Sequence, residues 1–177
     1  MTGARAARPA RATPMLTQDD ALRIVGTVPD PEVPVISVVE LGIVRDVTVA
    51  PDGGVAVTIT PTYSGCPAMR EIERDITAAL TAAGAPRVEL RTVLAPAWTT
   101  DWIGPEAREK LRRYGIAPPG KAEPAGLITL MRARTPVPCP WCGSRDTELR
   151  SEFGSTACKA IHVCRSCRQP FDEFKAF

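Results

Sequence analysis

Two C-x-x-C motifs limit how the end of this chain can fold. Their cysteines are Cys139, Cys142, Cys164 and Cys167, with twenty-one residues between the inner two. Each motif lets two thiolates chelate one ion from a tight turn, and two such turns complete a tetrahedral site. So short a segment has too small a core to fold unaided, so the metal supplies the missing stability. We therefore predict a zinc ribbon over residues 127–177 with a structural zinc ion; a rubredoxin-like iron site would use the same ligands.

Cys158 and His162 lie between the two motifs and are further candidates for chemistry. Lys159, beside Cys158, would favour a thiolate, whereas a small packed side chain is the alternative. His162 is the only histidine of the chain. It suits either an ordinary surface or core position or an additional metal ligand. The sequence leaves both residues open.

A strand, a Ser-Gly turn, a cysteine and a helix follow one another in the first half of the chain. Residues 55–60 alternate between apolar and smaller or polar side chains, which predicts a half-buried strand. From Met69 onward, apolar residues recur at helical spacing, and Pro67 suits the first helical position. Cys66 then lies at or beside the N-cap, where free N–H groups and the helix dipole favour a thiolate. We expect either an exposed, activated thiol or a small buried cysteine that closes a tight turn.

Three prolines enclose two carboxylates in residues 29–35. Prolines at this density fix an extended loop, so Asp30 and Glu32 are held in place. Two such carboxylates would serve as metal ligands or acid–base groups. The alternative is that they are loop charges that improve solubility and form turns.

The order of the remaining signals predicts an α+β fold. A capping box at Thr17 begins a first helix with Leu22 on its inner face, and a hairpin and a further helix and strand follow. Residues 95–103 carry two tryptophans that we expect to cover an edge of the core. A last helix from Pro105 places Tyr114 inward. The result is a small mixed sheet with helices on one face, over residues 16–115.

Composition defines the flanks of this domain and excludes several functions. We predict a disordered tail over residues 1–15, a Pro- and Gly-rich linker over 116–126, and a short strand at 127–130. The net charge of +2 argues against nucleic-acid capture, and no apolar run is long enough to span a membrane. No secretory signal and no phosphate-binding loop are recognisable. Metal binding is therefore favoured over disulfides, and we expect a cytoplasmic protein.

Several segments together resemble the PaaD (PaaJ) family, small subunits encoded with the multicomponent phenylacetyl-CoA epoxidase of bacterial aromatic degradation. The segments that carry the resemblance are residues 30–34, 41–44 and 62–67 and the C-terminal ribbon-like run. The resemblance covers residues 16–177, and its most specific stretches are 61–69, 95–103 and 153–160. The first domain is also similar to the wider iron–sulfur assembly family that includes SufT.

The resemblance implies a non-catalytic maturation or accessory role: helping the oxygenase system to acquire its iron–sulfur or iron centre. It assigns the family's cysteine to Cys66 and its Asp-Pro-Glu loop to Asp30 and Glu32, with Thr62 and Ser64 as supporting residues. Cys66 would bind iron or a cluster transiently. One cysteine cannot hold a cluster tightly, so a homodimer or a partner's ligand would have to complete the site.

The implied partners are the other epoxidase subunits and the iron–sulfur reductase of that system, without nucleic acid or membrane. Three alternatives remain open at this stage. The chain would otherwise be a docking scaffold that transfers no metal, or a thiol enzyme with Cys66 as its nucleophile. The third alternative is a nucleic-acid-binding zinc ribbon, which the near-balanced charge disfavours.

Overall fold

The computed structural model describes residues 15–63, 65–121 and 136–177. Its helices and strands are α1 Gln18–Val25, β1 Val44–Val49, β2 Val55–Ile59, α2 Met69–Ala82, β3 Val88–Thr92, α3 Pro105–Arg113, β4 Ile116–Ala117, β5 Thr147–Ser151, β6 Lys159–Cys164 and β7 Pro170–Phe174. No helix within these ranges has the length and apolar character needed to cross a membrane. The expected strand at 127–130, nearly all of the expected tail, and Ser64 lie outside the described residues.

The first sheet has the order β1-β2-β3. β1 and β2 form an antiparallel hairpin, and β3 joins β2 in parallel after α2. The hairpin turn uses Gly53 at φ 81°, a left-handed conformation that glycine adopts without strain. α1 and α2 contact each other, and they contact β1 and β3 respectively. The predicted α+β fold with a small mixed sheet is confirmed.

Two details of helix orientation differ from the sequence prediction. The capping box between Thr17 and Asp20 is present, but Leu22 is 44% exposed. The core face of α1 is formed by Ala21 and Val25, four residues apart, and Leu22 lies about 100° around the helix from Ala21. Tyr114 is also exposed, and it lies just past the end of α3 as its C-cap.

The second sheet joins the end of the first domain to the ribbon. Its order is β4-β7-β6-β5, and β4 runs parallel to β7. Ile116 and Ala117 belong to the segment that we predicted as a linker over 116–126. Both are buried and pair with β7, so that prediction is wrong for its first two residues. Pairing with a strand more than fifty residues away leaves no local signal in the sequence.

The C-terminal ribbon, residues 136–177, shares a hydrophobic core with the first domain. Phe174 and Cys158 belong to the same buried cluster as the interior of the first sheet. The Trp98 ring centroid lies 6.2 Å from those of Phe174 and Phe177, and its Nε1 donates to the carbonyl of Leu41 at 3.0 Å. Trp98 therefore covers the core edge, as expected, and also joins the ribbon to the first domain.

Arg108 connects the same region from the outside. Its guanidinium donates to the carbonyls of Ile103 at 2.9 Å, Thr100 at 2.7 Å and Pro119 at 2.6 Å. One side chain thus holds the tryptophan segment against α3 and against the residues that follow β4. Arg108 thereby fixes the chain on both sides of α3 and β4.

Candidate metal sites

The ribbon brings the four cysteines of its two C-x-x-C motifs together. All four sulfur atoms lie within 4.8 Å of one another. The Sγ atoms of Cys139 and Cys167 are 3.7 Å apart, and those of Cys142 and Cys164 are 3.6 Å apart. Four thiolates around one ion at about 2.3 Å would be separated by about 3.8 Å. The donor set and its spacing therefore fit a tetrahedral metal site.

The two C-x-x-C turns have the same backbone geometry. The N–H of Gly143 donates to the carbonyl of Cys139 at 2.9 Å, and the N–H of Arg168 donates to that of Cys164 at 2.8 Å. Both donor residues have positive φ, 76° for Gly143 and 62° for Arg168. Arg168 is the only non-glycine residue with positive φ in the part of the chain described here. Each turn thus requires a left-handed residue directly after its second cysteine. Gly143 adopts this conformation freely, whereas Arg168 adopts it with strain.

Backbone N–H groups point at the sulfur atoms. The N–H of Cys167 lies 3.5 Å from the Sγ of Cys164, and this interaction is the main cause that lowers the pKa of Cys164 to about 6. Donors of this kind stabilise a thiolate, the form that binds metal.

His162 is not one of the ligands of the four-cysteine site. Its Nε2 lies 2.8 Å from an oxygen of Glu173, and its ring stacks on Phe171 in the ribbon interior.

A second cluster of reactive side chains lies where the first domain meets the ribbon. Asp30 is buried, and its Oδ1 accepts the N–H groups of Glu32 at 2.9 Å and Val33 at 2.7 Å. Burial raises the pKa of Asp30, although both N–H donors act in the opposite direction. Asp30 therefore fixes the loop that carries Glu32.

Glu32 meets a cysteine of the ribbon. The Sγ of Cys158 lies 3.6 Å from Oε2 of Glu32, across 126 residues of sequence. The ammonium of Lys159 donates to the Glu32 carbonyl at 3.3 Å, and the Thr156 hydroxyl lies 3.0 Å from the Cys158 sulfur. Burial raises the pKa of Cys158 to about 11, so Lys159 does not activate this thiol. No sequence pattern links Glu32 to Cys158, and the contact was not predicted.

Cys66 lies in a turn before α2. The helix begins at Met69 with Ala68 as its N-cap, two residues later than the Pro67 start that we predicted. The N–H of Ala68 and the hydroxyl of Thr62 favour the thiolate, as expected near a helix start. Burial outweighs them and raises the pKa of Cys66, which favours the second of our two expectations, a partly buried cysteine in a tight turn, over an activated thiol. The residue is half-buried, and burial favours its neutral thiol.

Tyr63 links these groups. Burial raises the pKa of Tyr63 to about 12, and the charges of Cys66, Glu32 and Cys158 act in the same direction. The charge of Glu32 also raises the pKa of Cys66. Cys158 contacts Glu32 directly, and Cys66 and Tyr63 are close enough for the charge of Glu32 to raise the pKa of each.

Comparison with known proteins defines the class to which this combination belongs. Residues 18–93 match the family described as "Iron-sulfur cluster assembly protein", and residues 123–175 match the "PaaD zinc beta ribbon domain". A protein of Escherichia coli (strain K12), named as a candidate component of 1,2-phenylacetyl-CoA epoxidase, is 49% identical over 152 residues, which cover 86% of this chain and 88% of that protein. The chain belongs to the PaaD family of phenylacetyl-CoA epoxidase subunits.

Two further relatives match the first domain. The "Fe-S protein maturation auxiliary factor" of Porphyromonas gingivalis is 36% identical over 96 residues, 54% of this chain and 90% of that protein. The crystal structure of a domain of unknown function (DUF59) from Bacillus anthracis has a TM-score of 0.50 and 27% identity, and it covers 53% of this chain and 90% of its own. The resemblance drawn from the sequence motifs is confirmed.

Proposed function

We propose that this chain is a non-catalytic accessory subunit that helps a phenylacetyl-CoA epoxidase system to acquire its iron–sulfur or iron centre. Its relatives support the role, since one is named as a component of that epoxidase and another as an Fe-S maturation factor. The observation that carries the proposal is the half-buried Cys66 in the turn before α2, where the Ala68 N–H and the Thr62 hydroxyl lower the pKa of its thiol against the opposing effect of burial. The iron or cluster is the cargo of this site.

The electrostatics of Cys66 suit transient binding. A thiol with a raised pKa is protonated when empty, so metal binding must displace a proton. The bound thiolate gains the Ala68 N–H and the Thr62 hydroxyl, while burial continues to favour the protonated form. The site therefore holds its cargo weakly enough to release it to a protein with more ligands.

A thiol enzyme is less well supported by the same geometry. A nucleophilic cysteine needs a lowered pKa or an adjacent base. The pKa of Cys66 is raised, and the chain's single histidine, His162, is engaged with Glu173 in the ribbon. We therefore assign Cys66 to metal binding rather than to catalysis.

We propose that the four-cysteine site of the ribbon holds structural zinc. Four thiolates complete the coordination shell and leave no open position for a substrate. Metal analysis of the purified protein would distinguish zinc from iron, which the same ligands accept. The expected result is about one zinc ion per chain that survives reduction with dithionite.

The recipient of the cargo is expected among the other subunits of the epoxidase system, with its iron–sulfur reductase as the first candidate. Free cysteines throughout the described chain suit a reducing compartment, so we expect the protein to act in the cytoplasm. A second copy of the chain would be an alternative source of the missing ligands.

The test uses a phenylacetate-degrading host whose own copy of this gene is deleted. Wild-type protein should restore epoxidase activity, and Cys66→Ser should lower it at least tenfold at equal protein level. Met69→Leu, a conservative change three residues along, is the matched control and should restore full activity. Undiminished activity with Cys66→Ser would remove Cys66 from the mechanism and favour a docking scaffold.

A further inference from the structure

We propose that Glu32 and Cys158, together with Cys66, form a second metal site that spans the first domain and the ribbon and receives a thiophilic divalent cation such as Fe²⁺. This inference rests on the proposed function, because it names the ligands that complete the Cys66 site. It assigns the ribbon a direct part in metal handling, beyond the four-cysteine site that stabilises its fold.

The separation of the first two ligands supports the site. Metal–sulfur and metal–oxygen bonds of about 2.3 and 2.1 Å in tetrahedral geometry place the two ligand atoms about 3.6 Å apart. The Cys158 sulfur and the Glu32 Oε2 are 3.6 Å apart. The separation of this hydrogen-bonded pair matches the one that a single bound ion would impose.

Both ligands are held in position before any ion binds. Asp30 accepts two backbone N–H groups and fixes the Glu32 loop, while Lys159 donates to the Glu32 carbonyl. Cys158 is 4% exposed and belongs to the shared core of the two domains. Such support from neighbouring residues reduces the entropy lost on binding.

We assign the third ligand to Cys66. Its thiol responds to the charge of Glu32, and Tyr63 responds to the charges of Cys66, Glu32 and Cys158 together. Among the described residues, the four ribbon cysteines are the one group of three or more His, Cys, Asp or Glu side chains already arranged to hold an ion. Cys66 must therefore turn toward the ion when the ion binds. This site is completed only on binding, whereas the four-cysteine site is already arranged.

The binding step balances without a redox reaction. A divalent cation replaces the S–H protons of Cys158 and Cys66, binds the ionised Glu32 carboxylate, and releases two protons to solvent. The resulting group carries one net negative charge. Lys159 is buried beside Glu32, so the net negative charge of the metal group has a cation close by. The same ammonium lies 3.8 Å from Asp172.

The test is an anaerobic Co²⁺ titration of the full-length protein with zinc already in the four-cysteine site, because zinc binds such thiolates more tightly than cobalt does. Wild type should bind one Co²⁺ with thiolate-to-cobalt charge-transfer absorption. Cys158→Ser and Glu32→Gln should each weaken binding at least tenfold, and the charge-transfer intensity should fall by about half in Cys158→Ser. Glu71→Gln, which removes an exposed carboxylate on α2, is the control and should bind as wild type.

The variants separate this inference from the proposed function. If Cys66→Ser weakens cobalt binding while Cys158→Ser and Glu32→Gln bind as wild type, the shared site is refuted and the role of Cys66 stands. If the zinc-loaded wild type binds no cobalt through thiolates, the shared site is also refuted. Far-ultraviolet circular dichroism identifies any variant that fails to fold, and Glu32→Gln tests the site without changing the core.

Discussion

Replacing Trp98 with Phe should destabilise both parts of the molecule by the same amount. Trp98 is buried, packs against Phe174 and Phe177 of the ribbon, and donates to the Leu41 carbonyl. Loss of this hydrogen bond costs about 1 kcal/mol, and loss of part of the ring's buried area costs about 1 kcal/mol more. We expect the free energy of unfolding to fall by about 2 kcal/mol, or the Tm by about 4–8 °C.

Two probes distinguish the domains in this experiment. All described helices lie between Gln18 and Arg113, so circular dichroism at 222 nm follows the first domain. One equivalent of cobalt, loaded into the four-cysteine site of the zinc-free protein, gives a charge-transfer band that follows the ribbon. In urea, both signals should change at one midpoint and shift together in Trp98→Phe, whereas Tyr114→Phe, at an exposed ring, should leave both unchanged.

Separate midpoints for the two probes would refute this reasoning. So would a shift of the helical signal with no change in the cobalt signal. Either result would mean that the ribbon is tethered to the first domain without sharing its stability. A metal site built from both domains would then lack a rigid frame.

Three other predictions follow from individual residues. Arg168→Gly should relieve the left-handed strain and raise the free energy of unfolding by about 1 kcal/mol, whereas Gly143→Ala should lower it by a similar amount. Urea titration of the metal-loaded protein measures both changes, and a change in the same direction in both variants would contradict the strain. Arg108→Lys should lower the stability by about 1–3 kcal/mol in the same assay, because lysine cannot donate to three carbonyls at once, and an unchanged midpoint would contradict this. Burial raises the pKa of Cys158 to about 11, so its thiolate fraction at pH 8 is about 100-fold below that of an ordinary cysteine. Iodoacetamide should therefore alkylate Cys158 at least 100-fold more slowly than an exposed thiol, as measured by mass spectrometry. Labelling of Cys158 at the rate of an exposed thiol would contradict this prediction.

Local patterns in the sequence predicted the parts of the fold that neighbouring residues determine. The capping box at Thr17, the hairpin around Gly53 and the helical face of Ile72, Ile76 and Leu80 each depend on spacing of a few residues. The four ribbon cysteines were also identifiable, because C-x-x-C turns are local even though the pair of turns is not.

Contacts between distant segments could not be predicted from those patterns. β4 is two residues long and pairs with β7, and the Cys158–Glu32 contact joins residues from different domains. The choice between the two expectations for Cys66 could not be made from local patterns for the same reason. Its helix-end donors are local and visible, whereas the burial and the nearby Glu32 charge that outweigh them come from tertiary structure.

The iron content of the epoxidase system's iron–sulfur reductase tests the central claim most directly. The reductase would be purified from deletion cells that carry wild type, Cys66→Ser or Met69→Leu, grown in limiting iron, and its iron and labile sulfide measured per polypeptide. We expect at least a threefold lower content with Cys66→Ser and a full content with the other two. A full content in all three strains would contradict a role of this thiol in supplying that centre.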